Sequence, residues 1–158
     1  MKTNQISGRI RFILSICGAL LIGVLYTPIW KIDLSAPQYP EGLMMKINAN
    51  GLGGDVAIIN GLNHYIGMKT LHNEDFIEFK ILPYLIAIFS LLFFIVALLR
   101  NRKLMYTLFA LFVLFGVVAM VDFWKWEYNY GHNLDPNAAI IVPGMAYQPP
   151  LLGYKQLL

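Results

Sequence analysis

The chain holds 158 residues, of which 58% are hydrophobic and only 13% charged, with a formal net charge of +3. Soluble domains carry about 25% charged residues. The composition therefore excludes an ordinary cytosolic globule, a disordered tail and a disulfide-stapled secreted domain, and points to a small integral membrane protein. Cys17 is the one cysteine, which excludes an intramolecular disulfide and any thiolate cage for zinc or an iron–sulfur cluster.

Residues 1–11 are basic, with Lys2, Arg9 and Arg11 and no carboxylate. The uncharged run 12–30 (FILSICGALLIGVLYTPIW) reads as a first transmembrane helix. A cleaved signal peptide is the alternative, but the run exceeds the usual length of such a core and no A-x-A site follows it. Cys17, inside this run, reads as a small buried hydrophobe. A loop of about fifty residues, 31–80, comes next. Its entry is stiffened by Pro37, Tyr39 and Pro40. Residues 43–48 (LMMKIN) and 56–60 (VAIIN) read as short strands, with Gly51, Gly53 and Gly54 as the turn between them. Residues 60–71 (NGLNHYIGMKTL) read as a short helix, and Asn73-Glu74-Asp75 as a helix start leading into the second span.

The second and third spans cover 81–99 and 104–121, close to the roughly 20 residues that cross a hydrocarbon core. The turn 100–103 between them holds Arg100, Arg102 and Lys103. The tail, 122–158, is punctuated by Asp135-Pro136, Pro143-Gly144 and Pro149-Pro150, and its apolar end either docks on the loop or a partner or leads into a further span. The fold class expected is thus an all-α membrane protein with three transmembrane helices, a partly ordered loop with short strands, and a tail.

Charge sets the orientation expected. All four arginines, Lys2 and Lys103 fall in 1–11 and 100–103, while all nine acids fall in 31–80 and 122–158 with the other six lysines. The positive-inside rule places the first pair of segments in the cytoplasm and the loop and tail outside, in a bacterial inner membrane. Trp30, Tyr84, Trp124 and Trp126 then form an interfacial aromatic belt. This segregation argues against nucleic acid as partner, although the chain is basic overall.

Enzyme signatures are missing from the sequence: no GxSxG, no phosphate-cradling GxxxxGK and no HExxH occurs, and Gly51-Leu-Gly-Gly54 has no Rossmann unit behind it. The distinctive residues are soft donors on the outer side: His64, His72 and His132, with Met44, Met45, Met68 and Met145. His64, Met68 and His72 are spaced i, i+4, i+8, which on a helix stacks them on one face. Imidazole with thioether suits Cu(I) better than zinc, magnesium or calcium. Hydrogen-bonded imidazoles and a packing methionine are the structural alternative. Met44 and Met45 are adjacent on a strand, so at most one faces a shared ion. His132 and Met145 are the candidates that close such a site from the tail. A structural subunit of an inner-membrane complex with no ligand of its own is the first alternative function, and an electron-transfer subunit with a haem held non-covalently by His64 and His132 is the second, since no CxxCH exists.

The motifs Ala36-Pro-Gln-Tyr-Pro-Glu-Gly-Leu43, Gly54-Asp-Val, Ile59-Asn-Gly-Leu-Asn-His-Tyr-Ile-Gly-Met68, Asn133-Leu-Asp-Pro-Asn137 and Pro143-Gly-Met-Ala-Tyr-Gln-Pro-Pro150 resemble a family of small membrane proteins. Members are encoded beside the maturation genes of nitrous-oxide reductase in Bacteroidota-type bacteria. The resemblance implies a non-catalytic accessory protein that supplies copper to an extracytoplasmic copper enzyme or helps to assemble it. It implies His64, Met68, His72 and Met145 as Cu(I) ligands, and a transporter or copper lipoprotein as partner.

Overall fold

A computed structural model describes residues 5–36, 38–140 and 154–156. It is mixed α/β, which corrects the all-α expectation: among the described residues four α-helices accompany a four-stranded sheet of order β3-β2-β1-β4. Among the described residues two helices, not three, are long and apolar enough to cross a membrane.

Helix α1 spans Gly8–Val24, capped by Ser7, whose Oγ accepts from the Ile10 N–H at 3.5 Å. It stops well short of the expected 30, because residues 30–36 are extended. Trp30–Ala36 is strand β1, in which Ile32 and Leu34 are buried while Lys31 and Asp33 face out and pair at 2.9 Å. That two-residue alternation is the pattern of a half-buried strand. Strand β2, Tyr39–Asn48, pairs antiparallel with β1, Ile32 opposite Met45 and Leu34 opposite Leu43. It contains the expected strand 43–48.

The glycines expected as a turn are themselves strand β3, Gly51–Gly54, antiparallel to β2. Its end is tied by Asp55, whose N–H donates to the Met44 carbonyl and whose Oδ2 accepts from the Met44 N–H, both at 2.8 Å. Gly54 has φ +82, and a Cβ there would lie 2.2 Å from the Met44 carbonyl oxygen. Only glycine fits such a corner without strain. Residues 154–156 form β4, which pairs parallel with β1 from Asp33 to Ser35. The tail thus returns to the loop's sheet.

The expected second strand, 56–60, is instead the first half of helix α2, Val56–Ile66. Val56, Ile59, Leu62 and Ile66 pack on the sheet, a helical spacing that outweighs the β-branched composition. Gly67, at φ +75, ends the helix in the left-handed conformation, as a C′ glycine does. A single 3-10 turn, Asn73–Asp75, follows. Asn73 reaches back to the sheet, its Oδ1 accepting from the Leu52 N–H at 2.7 Å. This turn is not the start of the next helix, because Phe76 is extended.

Helix α3, Glu78–Leu99, and helix α4, Arg102–His132, form an antiparallel hairpin. Pro83 falls early in α3, where the missing N–H costs least. The connection is a single left-handed residue, Arg100 at φ 56, followed by Asn101, whose side chain caps α4 by accepting from the Lys103 N–H at 2.9 Å. Phe89 and Phe93 of α3 meet Phe112 and Phe115 of α4 edge-on or tilted, at 5.2–5.6 Å between ring centroids. Helix α1 lies along α3. Gly18 admits the Phe94 ring so closely that a Cβ would sit 3.0 Å from it, and Ser90 Oγ donates to the Gly18 carbonyl at 2.8 Å.

The expected end of the third span at 121 is not a helix end. Helix α4 runs eleven residues further, and Trp126 and Tyr130 of this extension join the sheet and α2 in one hydrophobic core. That core is an α/β cap seated on one end of the hairpin. At the opposite end, the Ile6 N–H donates to the Arg100 carbonyl at 3.0 Å.

Candidate functional site

The three-residue stack expected on one helical face is not formed. Helix α2 ends at Ile66, so only His64 of the set is helical. Met68 follows the left-handed Gly67 and turns inward, 9% exposed within the cap core beside Ile59, Leu71 and Tyr130. His64 and His72 are exposed. His72 Nδ1 stands 3.6 Å from Asp75 Oδ2. His132, the last residue of α4, lies flat on Tyr128 with ring centroids 3.9 Å apart. Its Nδ1 is 2.8 Å from the Tyr128 carbonyl oxygen, which can only accept, so Nδ1 carries the proton. Met45 is buried and Met44 half-buried, as strand alternation requires. Met145 lies outside the described residues.

The Met68 thioether thus belongs to the cap core, and the His64 and His72 imidazoles to the surface. Among the described residues, no three of His, Cys, Asp and Glu converge as a metal-holding group.

The structure instead gathers polar groups that the sequence did not single out, where α2 and the α4 extension meet. Asn63, 4% exposed, donates its amide to the Tyr130 hydroxyl. The same Nδ2 stands 3.5 Å from the Lys69 carbonyl. One turn earlier, Asn60 clasps Leu71: Nδ2 donates to its carbonyl at 2.9 Å and Oδ1 accepts from its N–H at 2.7 Å. These two asparagines fix the path of 67–72, and with it the inward turn of Met68.

On α4, Phe123, Trp126 and Tyr130 make a stacked aromatic column, with centroid separations of 6.0 and 5.1 Å, and Phe76 meets Trp126 edge-on at 5.5 Å. Trp30 leans on Phe123, and its buried indole N–H has no acceptor among the described residues. Glu127, one turn after Phe123, is 6% exposed and has no ion pair among the described residues. Glu127 lies beyond the apolar stretch of α4, and burial raises its carboxyl pKa above the ordinary value. The Tyr130 hydroxyl is likewise pushed up by burial, against the opposing pull of Asn63. Burial disfavours the charged form of each.

The Asn63–Tyr130 hydrogen bond joins α2 to the α4 extension. The spacing of Phe123, Glu127 and Tyr130 (i, i+4, i+7) is the signal that places Glu127 on the buried face.

No family model, curated protein or solved structure matches the chain.

Proposed function

We propose that the protein is a non-catalytic accessory subunit of a membrane complex. The α3–α4 hairpin anchors it in the bilayer, and the α/β cap presents a surface to a partner outside the cytoplasm. The observation that carries this reading is the apolar stretch of α4, with mean hydropathy 2.5 and only 6% of it buried by the rest of the chain. Phe109, Leu114 and Val118 are each more than half exposed. An apolar surface of that extent is far beyond what a water-soluble monomer exposes.

The basic residues support the direction of insertion. The Ile6–Arg100 hydrogen bond and the Gln5–Asn101 bridge bring Arg9 and Arg11 to the same end of the hairpin as Arg100, Arg102 and Lys103. This is the end that the positive-inside rule keeps in the cytoplasm. The cap, with the acids of the loop, then stands on the other side, in the periplasm for a bacterial inner membrane.

Purification of the full chain from native membranes tests the proposal. A stoichiometric partner protein without copper supports it, and a monodisperse chain carrying one equivalent of copper contradicts it. Copper handling, the rival role, draws its support from the resemblance and from the soft donors His64, Met68, His72, His132 and Met145.

A further inference from the structure

We propose that the groove between α1 and α3 at the basic end binds the phosphodiester headgroup and proximal acyl chain of one anionic phospholipid. The inference rests on the membrane reading above. The groove has a volume of about 310 Å³ and is lined by Gly8, Arg11, Phe12, Ser15, Phe94 and Leu98, with Ala97 at its floor. Phe12 and Leu98 are 69% and 72% exposed, so its walls offer apolar surface to an alkyl chain.

Arg11 supplies the charge. Its Nε donates to the Ala97 carbonyl at 2.8 Å, which anchors the guanidinium between the helices. That bond uses one donor of five. The other donors have no carboxylate partner among the described residues, and residues 5–12 and 97–106 contain no acid. The Ala97 carbonyl lies in the last turn of α3, where carbonyls lack a helical partner, and it bears no formal charge, so Arg11 is held without an ion pair. A held but unneutralised guanidinium beside apolar walls matches a phosphate with an attached chain, and phosphate is the group its planar fork recognises best. Basic recesses between membrane helices on the cytoplasmic side are where anionic headgroups bind.

Two features separate the groove from a diffuse basic surface. Arg102 and Lys103 share the same end but do not line it. Gly8 does line it, and a Cβ at Gly8 would meet nothing within 4 Å, so the helix tolerates a large side chain at the edge of the groove.

The test is native mass spectrometry and lipid exchange on the full chain, reconstituted in phosphatidylcholine nanodiscs and titrated with phosphatidylglycerol. One tightly held phosphatidylglycerol is expected. Arg11→Gln and Gly8→Trp should each weaken its retention about tenfold, the scale of one charge-assisted contact, while Arg102→Gln changes it at most about twofold because solvent screens it. Equal losses from Arg11→Gln and Arg102→Gln, or wild-type retention in Gly8→Trp, overturn the proposal. Inorganic phosphate that displaces the lipid at equal concentration also overturns it, in favour of a soluble phosphate. A chain that enters nanodiscs but holds phosphatidylcholine as tightly defeats the groove alone. A chain recovered in the aqueous fraction defeats the membrane reading and the groove together.

Discussion

The link between Asn63 and Tyr130 is the joint through which a membrane helix holds the cap, and its energy can be worked out. Tyr130→Phe removes the hydroxyl that accepts from Asn63 Nδ2. The amide then keeps only the 3.5 Å approach to the Lys69 carbonyl, too long to replace it. Asn63 is 4% exposed, so water does not compensate. An unsatisfied buried group costs about 1–3 kcal/mol. Asn63→Leu strands the hydroxyl in the same way, at a similar cost of about 1–3 kcal/mol. The double variant strands neither group and buries two apolar side chains of suitable size, so its cost should fall below the sum of the singles by about 1–2 kcal/mol. Pulse proteolysis of the cap in detergent measures all four proteins. Additivity within about 0.5 kcal/mol would refute the joint.

Other consequences follow from the same geometry. Gly54→Ala forces a Cβ to within 2.2 Å of the Met44 carbonyl oxygen at φ +82 and should cost the cap about 3 kcal/mol or more. Gly61→Ala, with open space at its Cβ in mid-helix, should stabilise it by up to about 1 kcal/mol. The two melting temperatures should move in opposite directions. Because burial raises the Glu127 pKa above 4.5, the native cap binds more protons than the unfolded chain between that value and the raised one. Stability should therefore fall as pH rises through the window and level off above it. Glu127→Gln should flatten that slope in a melting series. Met68→Leu conserves core volume and should cost less than about 1.5 kcal/mol. In a chelator competition, Cu(I) retention lost in this variant with folding intact would restore the thioether as a ligand.

The apolar stretches of α3 and α4 were legible because membrane helices declare themselves by composition over twenty residues. Strand β2 was legible from LMMKIN, where side chains alternate. Strand β1 was hidden because Trp30 reads equally well as the end of a span. Its signal, Lys31-Ile32-Asp33-Leu34, is a four-residue alternation beside a much stronger hydrophobic run. Residues 56–60 were misread because Val56, Ile58 and Ile59 favour a strand locally. Packing of Val56, Ile59, Leu62 and Ile66 against the sheet decides for a helix, and Gly67 at its end was the sequence sign available. The α4 extension carried an opposite ambiguity: Trp124, Trp126, Tyr128 and Tyr130 alternate like a strand, while Phe123, Glu127 and Tyr130 keep helical spacing. The helical stack expected of His64, Met68 and His72 does not form, for a related reason. A spacing of i, i+4, i+8 places groups together only if the helix survives, and the left-handed Gly67 ends it between the first and second.

Single-cysteine labelling tests the central claim most directly, that the α3–α4 hairpin is in the bilayer with the cap on the far side from the basic turn. On a Cys17→Ser background, Asn50→Cys marks an exposed turn of the cap, Arg102→Cys the basic turn, and Leu114→Cys the apolar stretch of α4. With a membrane-impermeant maleimide on intact spheroplasts, Asn50→Cys should label at once, Arg102→Cys only after permeabilisation, and Leu114→Cys in neither state. Prompt labelling of Leu114→Cys, or of Asn50→Cys and Arg102→Cys from the same side, would contradict the account.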